Sequence, residues 1–254
     1  MPNYRLDISY DGAPFYGYAI QKDEVTVQGE LEKALRPHTA GATTLVAGRT
    51  DRGVHAASQV ISFVSREIDT EYVLRSLNKQ LGPHIAAFSL VEVDDDFHAR
   101  FSATGRSYSY RVLNRDIHDP LLADRTWHVR EPLDVDAMNE GIAHLVGEHD
   151  FAALCRRYQN RTTHRRIHWA QWLRVGDELE LSIGAKAFCH QMVRSIVALT
   201  VEVGKGSMSP DLIPEILVSG DRARTKGVSP AHALTLVAVA YGEPLPRPDW
   251  VSSE

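Results

Sequence analysis

The stretch TTLVAGRTDRGVHAASQVISFV (residues 43–64) reads as strand, loop, strand. Thr43 to Ala47 is rich in β-branched and apolar residues, and Gln59 to Val64 resumes that composition. Between them, Gly48 to Ala56 is a short connection or strand end in which two glycines bracket Asp51 and an arginine stands on either side of it. Glycines there allow a sharp turn and a close ligand approach. Two sheet elements joined through a polar loop point to a protein built around a sheet.

Outward from this stretch, the first half follows the order strand, helix, strand, strand, helix, strand. Tyr4, Leu6, Ile8 and Tyr10 alternate with polar residues until the Asp11-Gly12 turn, which predicts a half-buried strand. Val27, Leu31, Ala34 and Leu35 recur at helical spacing up to Pro37. A helix is expected near Glu71 to Leu81 and a strand over Ile85 to Val93. In the second half, Ser107 to Leu113 reads as a strand and Asp134 to Leu145 as a helix. Ile167 to Val175 with Glu178 to Ile183 reads as a hairpin around Gly176-Asp177. Phe188, Met192, Ile196, Leu199 and Val203 form one stripe, predicting a helix over Phe188 to Val203 with Gly204 as its cap. Pro210 to Leu217 reads as a short helix and Leu234 to Tyr241 as a closing strand. The expected class is α/β (α+β): two similar mixed halves, each an antiparallel-rich sheet flanked by helices, with an active-site cleft between them. The boundary falls between residues 1–103, carrying the Asp51 loop, and 104–254.

The 254 residues are 43% hydrophobic and 24% charged, which excludes a disordered chain. The N-terminus lacks a basic stretch followed by an apolar core, and no apolar run is long enough to span a bilayer. Two cysteines, Cys155 and Cys189, make no disulfide framework, so a reduced, cytoplasmic setting is expected. The net charge of −5 argues at first against a nucleic-acid partner, but charge is segregated along the chain. Arg100, Arg106, Arg111 and Arg115 stand in one acid-free run. Arg156, Arg157, Arg161, Arg165, Arg166 and Arg174 stand in another. Glu131 to Asp150 between them carries six acids and no lysine or arginine. Tyr108, Tyr110, Tyr158 and Trp169 interleave with the arginines, and aromatic rings can stack on unpaired bases.

In the loop itself, inward-pointing Arg49 and Arg52 would favour the ionised form of Asp51 or hold a phosphate. A positioned carboxylate can serve as nucleophile or general base, while the plainer alternative is a turn whose Asp caps backbone amides. AGRTDRGVHA closely resembles the active-site motif of the tRNA pseudouridine synthase A family. The resemblance extends to YDGAPFYGYAIQ (10–21), TVQGELEKAL (26–35), DDFHARFSATGRSYSYRV (95–112), GEHDFAAL (147–154), the stretch from Arg161 to Ile167, AFCHQMVRSIV (187–197) and VSPAHALTLVAVAY (228–241). Order and spacing agree over nearly the whole chain.

That resemblance implies an isomerase converting uridine to pseudouridine at positions 38–40 of the tRNA anticodon stem-loop, acting as a homodimer without cofactor or metal. It implies Asp51 as the catalytic nucleophile, Tyr108 as the ring stacking on the target base, Arg194 as the basic partner of the carboxylate, and Arg49 as the residue helping to flip the target nucleotide. Four positions depart from the family pattern. Arg52 stands where a small residue is usual, and either contacts RNA phosphate or points to solvent. Tyr18-Ala19 replaces Trp-Gln or Phe-Gln, and Ala233 stands where glycine is common.

Competing chemistries find little support. His164 and His168, four apart, could share a helix face, and His55, His98 and His190 lie in the matching blocks, but no cysteine or carboxylate cluster completes a metal site. There is no G-x-S-x-G elbow, P-loop or dinucleotide fingerprint. An RNA-binding module that has kept the fold and lost catalysis is the serious alternative. An acid facing phosphate gives such a binder nothing.

Overall fold

The computed structural model describes residues 1–156, 162–225 and 227–251, so Arg157, Tyr158 and Arg161 of the second basic run lie outside the described residues. In chain order the elements are β1 (Asn3–Tyr10), α1 (Val27–Thr39), β2 (Leu45–Val46), β3 (His55–Val64), α2 (Thr70–Leu81), β4 (Ile85–Val93), β5 (Gly105–Asn114) and β6 (Trp127–Val129). They continue as α3 (Val135–Ala143), β7 (Gly147–Asp150), β8 (His164–Val175), β9 (Glu178–Ala185), α4 (Met192–Gly204), α5 (Leu212–Ser219) and β10 (Leu234–Ala240). The fold is mixed α/β. The chain separates into two compact units, Met1–Thr104 with Thr235–Pro244 and Gly105–Leu234 with Leu245–Glu254. The closing strand therefore returns to the first unit.

The first unit is organised on the strand order β4-β1-β3-β10, with β2 paired to β3. β1 runs antiparallel to β3 and β4, and β10 runs parallel to β3 through Thr235↔His55 and Leu236↔Ala56. The alternation in β1 does what it predicts. Tyr4, Leu6, Ile8 and Tyr10 are all buried, and Tyr4 meets Phe63 of β3 with ring centroids 5.6 Å apart. The two helices are joined by a contact of 3.0 Å between His38 Nε2 and Ser76 Oγ. On α2, Asn78 clips β4: its Nδ2 donates to the Ala87 carbonyl at 2.6 Å, and its Oδ1 accepts from Ala87 N–H at 2.9 Å.

One helix boundary differs from expectation. Pro37 does not end α1, which continues to Thr39. In a last turn proline gives up one backbone bond while its φ remains helical. Thr39 Oγ1 donates to the Leu35 carbonyl at 3.0 Å, and the helix ends at Ala40 in the left-handed region.

The second unit is organised on the order β5-β9-β8-β7, all antiparallel, with β6 parallel to β5. β8 and β9 form the expected hairpin, closed at Val175↔Glu178 with Gly176 at φ 60°. Against this sheet lies α4, whose residues from Met192 to Gly204 are buried except Arg194 and Glu202. A helix apolar on nearly every side belongs in a core. Trp172 Nε1 of β8 donates to Thr200 Oγ1 of α4 at 3.2 Å. Gly204 is the last residue of α4 rather than its cap, which is Lys205, and a Cβ there would stand 2.7 Å from the Met138 sulfur of α3.

The start of α4 corrects the sequence reading. The helix begins at Met192 rather than Phe188, because Gln191 takes a left-handed φ of 64° and breaks the helical path. His164 and His168 also do not share a helix face, as both stand on β8.

Candidate active site

The Asp51 loop is held from behind by three buried polar side chains. Gln59 Nε2 on β3 donates to the Gly48 carbonyl at 2.8 Å and reaches the Tyr10 hydroxyl at 3.3 Å. Tyr10 in turn contacts Thr50 Oγ1 at 2.8 Å. Burial pushes the Tyr10 phenol up to about 12, so it stays neutral and available for hydrogen bonding at physiological pH. The Thr50 carbonyl accepts from Tyr18 N–H at 3.1 Å, and the Asp51 carbonyl accepts from Val54 N–H at 3.1 Å. This second bond closes a turn over Asp51–Val54, for which Gly53 supplies φ 79°.

Two other glycines explain how the N-terminal segment comes so close. A Cβ on Gly12 would lie 2.1 Å from the Val54 carbonyl oxygen, a distance only a residue without a side chain tolerates. Gly17, at φ +95°, would place a Cβ 3.0 Å from the Thr50 oxygen and 3.2 Å from Arg52 N. Gly12 N–H donates to His55 Nδ1 at 3.0 Å. The same nitrogen lies 3.1 Å from Asp11 Oδ1, so the imidazole joins the Asp11-Gly12 turn to the start of β3. The turn ending β1 and the segment before α1 thus form the wall of the loop.

On this framework Asp51 is half-buried while Arg49 and Arg52 are exposed. The guanidinium carbon of Arg52 lies 3.9 Å above the centre of the Tyr16 ring. Asp51, Arg49 and Arg52 therefore belong to one braced loop of the first unit.

Tyr108 and Arg194 belong to the second unit. Tyr108 lies on β5 opposite Ile183 of β9, half-buried. Its ring meets Phe188 edge-to-face, with centroids 5.2 Å apart at 87°. Phe188, released from α4 by the break at Gln191, thus orients the tyrosine. Arg194, in the first turn of α4, donates through Nε to the Ser229 carbonyl at 2.7 Å, and Ser229 N–H returns a bond to the Arg194 carbonyl at 3.2 Å. The next residue, Pro230, accepts from the Tyr110 hydroxyl at 2.9 Å. Burial raises the Tyr110 phenol, an effect that Ser229 and the Arg194 charge partly offset. The 229–230 segment thus ties the strand of Tyr108 to Arg194.

The arginine runs look different in space than in sequence. Arg111 pairs with Glu178 at 2.6 Å, and Arg115 with Asp119 at 3.1 Å and Asp177 at 3.4 Å. Arg106 Nη1 donates to the Lys186 carbonyl at 2.8 Å, and Arg174 Nη2 to the Leu133 carbonyl at 2.9 Å. These four side chains are tied into the fold. A separate pocket of about 630 Å³ in the second unit is lined by Cys155, Arg156, Gln191, Asp221 and Arg222, among others, and contains neither Tyr108 nor Arg194. Cys155 and Cys189 are both free thiols. A hydrogen bond from Cys155 to Cys189 raises the first thiol and lowers the second. Among the described residues no group of three or more His, Cys, Asp or Glu side chains is placed to hold a metal ion. Among them, too, no helix is long and apolar enough to cross a membrane.

Sequence reasoning found the loop but not its supports. Tyr10, Gly12, Gly17 and Gln59 carry no chemical signature of their own.

Comparison with known proteins points to the pseudouridine synthase class. The family described as tRNA pseudouridine synthase matches residues 142–242. A tRNA pseudouridine synthase A from Xanthobacter autotrophicus is 40% identical over 250 residues, covering 95% of this chain and all of that one. One from Caulobacter sp. is 40% identical over 245 residues, covering 95% of this chain and 98% of its own. One from Streptomyces avermitilis is 44% identical over 249 residues, covering 93% and 87%. The chain belongs to the tRNA pseudouridine synthase A family. Its activity is that of a tRNA pseudouridine synthase, an intramolecular isomerase.

Proposed function

We propose that this isomerase acts on uridines at positions 38–40 of the tRNA anticodon stem-loop, with Asp51 as its catalytic nucleophile. The reaction breaks the bond from ribose C1′ to uracil N1, turns the base, and joins C1′ to C5. The C5 proton leaves and N1 gains one, so the conversion needs no net oxidation or reduction. Attack by the Asp51 carboxylate on C1′ as the bond to N1 breaks would hold the ribose while the base turns, and C5 displaces the carboxylate as the new bond forms. The target must leave its stack to be reached. Tyr108 offers the aromatic face for the extruded base, Arg49 takes part in flipping the nucleotide, and Arg194 is the basic residue of the site. The enzyme works as a homodimer in the cytoplasm, without a cofactor.

One observation carries this reading. Asp51 sits half-buried on a loop whose neighbours on both sides are pinned through buried contacts, from Gln59 and Tyr10 to Gly48 and Thr50, and from Val54 back to the Asp51 carbonyl. A solvent-facing turn needs no such bracing, whereas a carboxylate that must meet one carbon atom does. The positional claim is tested by mapping pseudouridines in tRNA from cells with and without the protein. Loss confined to positions 38–40 supports it. Unchanged modification at those positions rejects it.

A further inference from the structure

Arg52 departs from the family pattern, and the structure gives it a partner that sequence did not suggest. Its guanidinium lies over the ring of Tyr16 at 3.9 Å, and both side chains are exposed. The backbone that carries the ring is not loosely placed. Tyr16 N–H donates to the Val25 carbonyl at 2.9 Å, and the Tyr16 carbonyl accepts from Gln21 Nε2 at 2.5 Å. The next residue, Gly17, has no side chain to separate this segment from the Thr50 carbonyl and Arg52 N. Tyr18 N–H then bonds to the Thr50 carbonyl at 3.1 Å. Tyr16 and Arg52 thus come from two segments locked to each other on both sides of Asp51.

This arrangement does more than tidy a surface. A guanidinium carries its N–H donors in its own plane, so covering one face with an aromatic ring leaves its edge to grip two oxygens of a phosphate. An unrestrained arginine loses rotamer freedom when it binds, and a stacked one has lost much of it already. RNA approaching Asp51 also brings phosphates toward a carboxylate, a repulsion that a cation fixed one residue away offsets.

We propose that Tyr16 and Arg52 form a phosphodiester-binding element for the RNA backbone beside the target uridine. Arg52 makes the contact, and Tyr16 is a positioning residue that holds the guanidinium edge-out. The proposal rests on Asp51 being the carboxylate at which the uridine reacts, since that places the neighbouring phosphate next to Arg52.

The test combines steady-state kinetics on a tRNA transcript with RNA binding across a salt series. The variants are Arg52→Ala, Tyr16→Ala, Tyr16→Phe and the double alanine variant. Arg52→Ala is expected to raise KM about five- to tenfold with kcat within about twofold of wild type. It should also flatten the slope of log K against log salt by roughly 0.7–0.9, the loss of one phosphate contact. Tyr16→Ala should raise KM about threefold or more, and the double variant should be no worse than Arg52→Ala alone. Tyr16→Phe keeps the ring face and should restore the wild-type KM. Both side chains are exposed, so melting temperatures should hold and losses should not reflect unfolding. Independent multiplying effects, a wild-type KM for Tyr16→Ala, or an unchanged salt slope for Arg52→Ala would each overturn the proposal. The salt slope reads binding alone, so it stands or falls separately from the role of Asp51 in turnover.

Discussion

The Tyr10 hydroxyl lies 2.8 Å from Thr50 Oγ1, a buried contact across 40 residues of chain that ends one residue short of Asp51. Through it the first strand of the protein sets the position of the Asp51 loop. Tyr10→Phe keeps the ring and deletes that tie, leaving Thr50 and Gln59 short of a partner. The expected cost is about 1–2 kcal/mol in urea unfolding, with a fall in kcat larger than any rise in KM for tRNA. A variant with wild-type kcat would mean that the tie does not position the loop.

The same tyrosine gives stability an alkaline limb. The Tyr10 phenol rises from 10 to about 12 on folding, so the unfolded chain releases its proton first as pH increases. Its contribution is fully present below pH 10 and is lost between pH 10 and about 12, on the order of 2–3 kcal/mol. Tyr18 and Tyr110 shift in the same direction. Unfolding free energy measured over this range should fall with pH in wild type and fall less steeply in Tyr10→Phe.

Gly12 and Gly41 separate crowding from backbone strain. Gly12→Ala drives a Cβ into the Val54 carbonyl, a main-chain atom that cannot step aside, and should cost about 1–3 kcal/mol together with most of the activity. Gly41, at φ +87°, has nothing within 4 Å of an added Cβ. Gly41→Ala should therefore cost about 1 kcal/mol of strain and leave turnover unchanged. Thermal melts and turnover of the two variants make the comparison, and equal activity losses would contradict it.

The roles proposed for Tyr108 and Arg194, a platform and a charge, are separable by mutation. Tyr108→Ala should lower kcat/KM by an amount corresponding to about 1–3 kcal/mol of base stacking, while Tyr108→Phe keeps the ring and most of the rate. Arg194→Ala removes the group tethered to Ser229 and should depress kcat. Arg194→Ala with unchanged turnover and RNA binding would remove Arg194 from the site.

What was legible in the sequence was local. The alternation of β1, the Gly176 hairpin and the apolar residues of α4 follow from periods of 2 and 3.6 residues that a chain displays directly. The start of α4 was not, because the break depends on Gln191 adopting φ 64° while Phe188 turns aside to Tyr108. The ties of the basic runs were hidden for a related reason. Arg111 and Arg115 find Glu178 and Asp177 more than sixty residues away, and an ion pair across strands leaves no trace in a linear charge count. In the site, Asp51 was visible because glycine, arginine and acid crowd into nine residues. Tyr10 and Gln59 were not, since their role exists only once β1 lies against β3.

The most direct measurement of Asp51 as the catalytic carboxylate is release of tritium from tRNA labelled at uridine C5, comparing wild type with Asp51→Ala and Asp51→Asn. The account predicts release by wild type, none above background by either variant, and RNA binding by both variants close to that of wild type. Tritium release that survives the loss of the Asp51 carboxylate would contradict it.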